Sequence, residues 1–226
     1  NGPCVADWQR LFEQTWNTWA SPLPALPPPH NNCYHDAHPG RVVLNAPSRM
    51  ELKRTLIKHI RGAERRIWLA TAYFIPSWKI KRLLSRAARN GVDVRLLLPG
   101  PLTDHPAVRH AGRRFYSSLL RNGVRLHEYQ PRFLHAKVLL CDDWISIGSS
   151  NIDRWNLRWN LEANQEVADP GLATEVERLF ERNFSDSLEI HYDTWFRRPW
   201  RRHLLEWLWG KVDQWLERRS QRRKGE

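Results

Sequence analysis

The stretch Phe133–Asn151, FLHAKVLLCDDWISIGSSN, limits the possible folds most sharply. Almost every residue in it is apolar or β-branched, the composition of a strand buried on both faces, yet His135 and Lys137 sit inside it. Side chains two apart share a face of a strand. His135 and Lys137 are therefore expected to point the same way, beside Leu139 and Cys141, while Ala136, Val138 and Leu140 fill the other face. Two ionisable groups on one face of such a strand need a use, because an unpaired buried charge is costly. Asp142-Asp143 reads as a turn, Trp144 to Ile147 as a return strand, and Gly148-Ser149-Ser150-Asn151 as a tight polar exit. The hairpin gathers His135, Lys137, Ser149 and Asn151 at one end. A lone histidine in such a place is more often a core residue, but this set can attack, bind and orient a phosphate.

The joint pattern has a close parallel. His135-x-Lys137, four residues, Asp142, then Gly148-Ser149-x-Asn151 resembles the HxKxxxxD motif of the phospholipase D superfamily, and Asn160 and Glu162 stand where that family carries Asn-x-Glu. The resemblance extends from about Arg41 to Phe184. The run GSSNIDRWNLRWNLEAN, beginning at Gly148, is particularly similar to the bacterial cardiolipin synthase branch. Asp142 and Gly148 stand one residue closer together than in many relatives, which shortens the hairpin turn and bears on the register of Trp144–Ile147. The resemblance implies an α/β fold of the phospholipase D-like half-domain type, a mixed β-sheet layered between α-helices.

Composition narrows the partners. The chain has 226 residues, a formal net charge of +12 and 13 Trp. A basic surface favours anionic partners: nucleic acid, acidic lipid or phosphorylated substrates. Trp favours boundaries between apolar and wet surroundings, membrane headgroups included. Cys4, Cys33 and Cys141 are odd in number and lack metal-ligand spacing, so they read as free thiols of a reducing compartment. No apolar run approaches the ~18 residues of a membrane span. No signal peptide is visible, and because the first residue is Asn1 rather than Met a natural N-terminus upstream is expected.

Taken in order, residues 1–19 place Val5, Trp8, Leu11, Phe12, Thr15, Trp16 and Trp19 at helical spacing, with Pro3 suited to the entrance. This helix resembles the one that closes the first half of a two-copy phospholipase D protein. Residues 20–40 are Pro-rich and read as a semi-rigid linker. His30, Cys33, His35, Asp36 and His38 cluster there, without the spacing of a recognisable metal site, so no metal is assigned. Residues 41–190 alternate strand and helix. Strands are expected at 42–45, 66–74, 92–98 and 124–129. Helices are expected at 49–62 (capped by Ser48, with Glu51 completing a capping box), from Ser77 to Asn90, at 105–122 and at 171–184. No Gly-rich phosphate loop appears. Residues 191–226 form a basic, Trp-rich tail. Trp200, Leu204, Leu205, Trp207, Leu208, Trp209, Val212, Trp215 and Leu216 recur at helical spacing among Arg and Lys. Such a C-terminal amphipathic helix can lie in a membrane interface or pack on its own domain.

In-line attack on a phosphodiester needs a nucleophile, donors for the non-bridging oxygens and an acid for the leaving group. His135 suits the first role, since neutral imidazole is available near pH 7. Lys137 and Asn151, with Ser149 a weaker candidate, suit the second. Glu162 would accept from the other ring nitrogen of His135, as a carboxylate does in a triad. Asp142, Gly148 and Asn160 are expected in structural or motif roles. The resemblance implies a phosphohistidine intermediate, no cofactor, and a second HxKxxxxD half-domain, supplied upstream or by dimerisation, whose histidine protonates the leaving group. Three readings follow. One is a phosphatidyltransferase resembling cardiolipin synthase, peripheral on the cytoplasmic face of a bacterial inner membrane, with phospholipid as substrate and an anionic phospholipid membrane as partner. The second is a phospholipase D-type nuclease or phosphodiesterase. The third is a non-catalytic lipid-binding fragment.

Overall fold

A computed structural model describes residues 4–22, 24, 40–46, 49–153, 157 and 160–198. Within them lie nine strands and seven helices. In chain order these are α1 (Val5–Trp19), β1 (Gly40–Ala46), β2 (Arg49–Met50), α2 (Glu51–Gly62), β3 (Arg66–Thr71), α3 (Trp78–Arg89), β4 (Asp93–Pro99), α4 (Pro106–Arg113) and α5 (Tyr116–Arg121). There follow β5 (Arg125–Tyr129), β6 (Lys137–Cys141), β7 (Trp144–Gly148), β8 (Glu162–Ala168), α6 (Pro170–Ser185), β9 (Ser187–Ile190) and α7 (Tyr192–Phe196). Ser48, the linker cluster of His30, Cys33, His35, Asp36 and His38, and the Trp-rich segment from Trp200 onward lie outside the described residues.

The strands form one mixed sheet in the order β2-β1-β8-β7-β6-β3-β4-β5-β9. β3, β4 and β5 are parallel and the remaining pairs antiparallel. Parallel neighbours need crossovers, and the apolar stripes of α3 and of α4–α5 supply them. Ser77 caps α3 by accepting from Ile80 N at 3.3 Å, and Gly91, at φ +88°, ends it in the left-handed region. Alternation along the strands splits the core. Ile67, Leu69, Leu96, Leu139 and Cys141 pack with Leu52, Leu56, Ile80, Leu84 and Leu119 of the helices on one face. Trp68, Ala70, Leu97, Leu140 and Ile145 pack with Ala173, Val176, Phe180 and Phe184 of α6 on the other.

Several expectations shift. The helix expected over 105–122 is two helices, with Phe115 N turning back to Gly112 O at 3.1 Å. Gly112 lies so close to the Phe74 carbonyl that a Cβ there would come within 2.7 Å of it. Packing continues beyond residue 190, where Trp195 of α7 is buried against Tyr116. α1 is a helix as expected, tied to the sheet by Trp8 Nε1 donating to Gln165 Oε1 (3.0 Å) and Val42 N donating to Asp7 Oδ2 (3.3 Å). Its Trp8, Phe12, Trp16 and Trp19 nevertheless remain exposed. Among the described residues, no helix is long and apolar enough to cross a membrane.

Candidate active site

The central hairpin sets the site. Cys141 pairs with Trp144 across a two-residue turn, and Val138 pairs with Ile147, so the shortened spacing is met by a tight turn with the ladder kept in register. Asp142 takes φ +52° there, a conformation that Asp tolerates better than most residues. Its carboxylate accepts from three successive backbone N–H groups ahead of and entering β3: Glu64 (3.0 Å), Arg65 (2.9 Å) and Arg66 (3.0 Å). Burial pushes its pKa up, but those three donors and the Arg65 charge hold it below the usual carboxylate value. Asp142 thus ties the hairpin turn to the start of β3, at the far end of the hairpin from His135.

At the other end the strand begins at Lys137, so His135 lies in the extended segment just before it rather than within it. This removes the conflict in the sequence: His135 is exposed and Lys137 half-buried, and neither sits in a dry core. Phe133 and Tyr73 flank the imidazole, with ring centroids at 5.3 Å and, edge-on, 6.3 Å. Lys137 Nζ donates to the His135 carbonyl at 2.9 Å. Burial lowers the Lys137 pKa, and the charges of Glu162 and Asp104 pull it back up. Lys137 pairs with Thr71 of β3, and on β7 Gly148 pairs with Asn164 of β8, where a Cβ would collide with the Ala163 carbonyl and the Asn164 side chain. Only glycine lets the β7 backbone approach β8 that closely.

Asn151 is buried, with Oδ1 accepting from Tyr73 N (3.3 Å) and lying 3.2 Å from the Thr71 hydroxyl. Among the described residues its Nδ2 hydrogens are uncommitted. Glu162 is also buried, where β8 begins. Its carboxylate accepts from the Ser149 hydroxyl and from Asn160 Nδ2 (3.4 Å), and Ser149 Oγ in turn accepts from Ala163 N at 3.1 Å. The expected Glu162–His135 hydrogen bond is not formed. The imidazole nitrogens make no hydrogen bond among the described residues, and Glu162 is held by Ser149 and Asn160. Lys137 senses the Glu162 charge, so Lys137, Ser149, Asn160 and Glu162 form one linked group, with His135 and Asn151 beside it. Among the described residues, no cluster of His, Cys, Asp and Glu could hold a metal ion.

Three residues were not anticipated as site neighbours. Tyr73 follows β3, and Asp104 and His105 follow β4. Parallel neighbouring strands deliver their following loops to the same end of a sheet. Tyr73 donates its hydroxyl to Asp104 Oδ2 at 2.6 Å, and its ring lies 5.6 Å from that of His105. The strand expected over 66–74 ends at Thr71 instead, which places Tyr73 in the loop after it.

Residues 56–184, more than half the chain, match the family described as cardiolipin synthase, PLD-like domain. Cardiolipin synthase A of Pseudomonas aeruginosa is 36% identical over 194 residues, covering 84% of this chain and 39% of that protein. Cardiolipin synthase A of Pseudomonas putida is 36% identical over 198 residues, covering 84% and 40%. The chain therefore spans about two fifths of the length of these relatives. Among solved structures, the phospholipase D family member Nuc from Salmonella typhimurium superposes with a TM-score of 0.58 at 18% identity, over 68% of this chain and 99% of that one. Phosphatidylserine synthase from Haemophilus influenzae gives 0.60 at 15% identity, over 77% and 45%. These two show the fold alone, while the sequence match shows more: the chain belongs to the phospholipase D superfamily, in its cardiolipin synthase-like branch.

Proposed function

We propose that this chain is the half-domain of a phosphatidyltransferase that carries one HxKxxxxD motif, and that it moves a phosphatidyl group from one phospholipid to an alcohol. The observation that carries the reading is the exposed imidazole of His135 beside Lys137, at the end of a hairpin whose Asp142, Gly148 and Ser149 hold it in place. In the first step a ring nitrogen of His135 attacks phosphorus. The P–N bond forms, the P–O bond to the leaving alcohol breaks, and that alkoxide takes a proton from the histidine of a second motif. In the second step the acceptor oxygen attacks, the P–N bond breaks, and the acceptor's proton passes to the second histidine. Lys137 and the Asn151 amide hold the non-bridging oxygens, where fixed donors matter most. Glu162 keeps Ser149 and Asn160 in place and balances the Lys137 charge. The 36% identity to cardiolipin synthase A supports a phospholipid as the substrate class.

One motif supplies one histidine, so the second half-domain comes from elsewhere in the natural protein or from a second copy. Helix α1, before β1, suits the junction to a preceding half. The basic, Trp-rich segment after residue 199 suits a peripheral hold on an anionic membrane, at the cytoplasmic face of a bacterial inner membrane. The test is transphosphatidylation on anionic vesicles by the natural full-length protein, beside DNA cleavage by the same sample. Transfer to an added alcohol without DNA cleavage is expected. DNA cleavage without lipid turnover would overturn the reading in favour of a nuclease, and vesicle binding without turnover would leave a lipid-binding fragment.

A further inference from the structure

We propose that Thr71 is a positioning residue for phosphodiester cleavage: its buried hydroxyl fixes the Asn151 amide relative to Lys137, so that the two act as one clamp on the non-bridging oxygens. The inference rests on the reading above, in which Lys137 and Asn151 hold those oxygens, and adds the group that sets their geometry.

Thr71 is the last residue of β3 and 0% exposed. On its face of β3 it follows Ile67 and Leu69, which pack in the apolar core. Valine would fit such a strand position equally well by shape. A hydroxyl buried there needs partners, and this one has three. Thr71 Oγ1 accepts from Ile152 N at 3.2 Å, and its one hydrogen is shared between the Tyr73 carbonyl (3.0 Å) and Asn151 Oδ1 (3.2 Å). A single buried oxygen therefore touches the Asn151 side chain, the residue after Asn151, and the turn whose Tyr73 N also donates to Asn151 Oδ1 at 3.3 Å. With two donors on Oδ1, rotating the amide would set the Nδ2 hydrogens against the Tyr73 N–H. The amide is held one way round, with both Nδ2 hydrogens left for a ligand. Branching at Cβ restricts the rotamer of Thr71 itself.

Thr71 also pairs with Lys137 across β3 and β6. Residues directly opposite in an antiparallel ladder share a face, with Cβ atoms ~5 Å apart. Lys137 thus enters the site from the strand beside Thr71, and Asn151 from the loop bonded to its hydroxyl. The remainder of that loop is anchored elsewhere. Ser149 N donates to the Ala163 carbonyl (3.1 Å), Ser150 N to Asn164 Oδ1 (3.2 Å), and Asn164 Nδ2 to Ser146 Oγ (2.9 Å). Losing the Thr71 hydroxyl frees the Asn151 amide while the path of the loop stays in place.

The test uses the natural full-length protein with a phospholipid donor in vesicles and reads total cleavage, transfer plus hydrolysis. Thr71→Val keeps the shape and removes the hydroxyl. Its kcat should fall on the order of 10²-fold, the size of a misplaced group at a reacting centre, with rates referred to the folded fraction from urea unfolding. Thr71→Ser restores the hydroxyl and should recover most of the rate. A double-mutant cycle separates positioning from support of the fold. In the Asn151→Ala background, Thr71→Val should change kcat by less than about twofold, because the group it positions is gone. Where Thr71→Val does not fold, the cycle is read from the smaller loss in Thr71→Ser, which must vanish in the same background. Equal losses in both backgrounds, wild-type kcat in Thr71→Val, or a Thr71→Ser form as slow as Thr71→Val would overturn the positioning role. Wild-type kcat in Asn151→Ala would overturn the clamp and this inference with it. A protein that cleaves DNA and not lipid would overturn the transferase reading alone, and the inference then stands or falls by the same cycle on DNA, since the clamp serves any phosphodiester. Cleavage of neither would overturn both.

Discussion

Asp142 is the motif carboxylate, and the structure predicts that replacing it damages the fold more than the chemistry. It accepts three backbone hydrogen bonds at 2.9–3.0 Å from Glu64, Arg65 and Arg66. A hydrogen bond to a charged acceptor contributes ~1.5–3 kcal/mol when buried, and this partly exposed group is better credited with about 1 kcal/mol for each. Asp142 also sits at φ +52°, where a residue with a Cβ but no side-chain hydrogen bond costs about 1 kcal/mol. Asp142→Ala should therefore lose about 4 kcal/mol. Asp142→Asn retains Oδ1, which serves Arg65 and Arg66, and loses the Glu64 bond to the second oxygen, so about 1 kcal/mol is expected. The contribution also depends on pH. Because the folded pKa lies below the unfolded one, the stabilisation is fully present above the unfolded pKa and is lost as pH falls through the folded value. Urea unfolding of the wild type, Asn and Ala forms at pH 7.5 gives the order directly, with activity measured on the folded fraction. An Asp142→Ala form as stable as wild type yet inactive would refute the structural role and place Asp142 in the chemistry.

Three further expectations follow from the same geometry. Glu162→Gln should lower kcat but keep the Ser149 and Asn160 contacts, and because Glu162 raises the Lys137 pKa, the alkaline limb of the pH–rate profile should move to lower pH; an unmoved limb with reduced kcat would remove the charge argument. Gly148→Ala forces a Cβ into the Ala163 carbonyl and should cost ~1–3 kcal/mol in urea unfolding, with a normal midpoint contradicting the close β7–β8 approach. His127 is 4% exposed, its ring nitrogens have no hydrogen-bond partner among the described residues, and burial lowers its pKa to about 4. Its folded pKa lies below the unfolded value, so neutral His127 is tolerated above pH 6.5 and stability falls as pH drops from 6.5 toward 4; His127→Leu should lose about 2 kcal/mol less than wild type between pH 7.5 and 5.

Much of this was legible because local pattern and tertiary role agree. The hairpin of β6 and β7 shows as two short apolar, β-branched runs around Asp142-Asp143, and Ser77 and Gly91 mark the ends of α3 by capping chemistry that operates within a few residues. β8 was hidden because its buried side carries Glu162, Asn164 and Glu166, the reverse of a hydrophobic pattern. Each finds a partner on a distant element. Ser149 serves Glu162, Ser146 and Ser150 serve Asn164, and Arg41 binds Glu166 at 2.9 Å. No window of neighbouring residues contains those partners. The break between α4 and α5, at Arg114 and Phe115, has no proline or turn glycine to announce it. His135, Lys137 and Asn151 could be singled out from their motif, but the neighbours Tyr73 and Asp104 could not, because only the parallel pairing of β3 and β4 brings their loops together. The Glu162–His135 contact was expected from the logic of a triad, whereas the local competition of Ser149 and Asn160 for that carboxylate depends on where β8 starts.

The central claim is that His135 becomes covalently bonded to phosphorus during turnover. The most direct measurement is rapid quenching of the natural full-length protein during turnover of a phospholipid donor, followed by peptide mass spectrometry under conditions that preserve a phosphoramidate. The account predicts a phosphatidyl adduct on the peptide containing His135, formed and lost at rates compatible with kcat, and absent from His135→Ala together with nearly all activity. An adduct on a different residue, or His135→Ala protein that turns over at a near-normal rate, would contradict it.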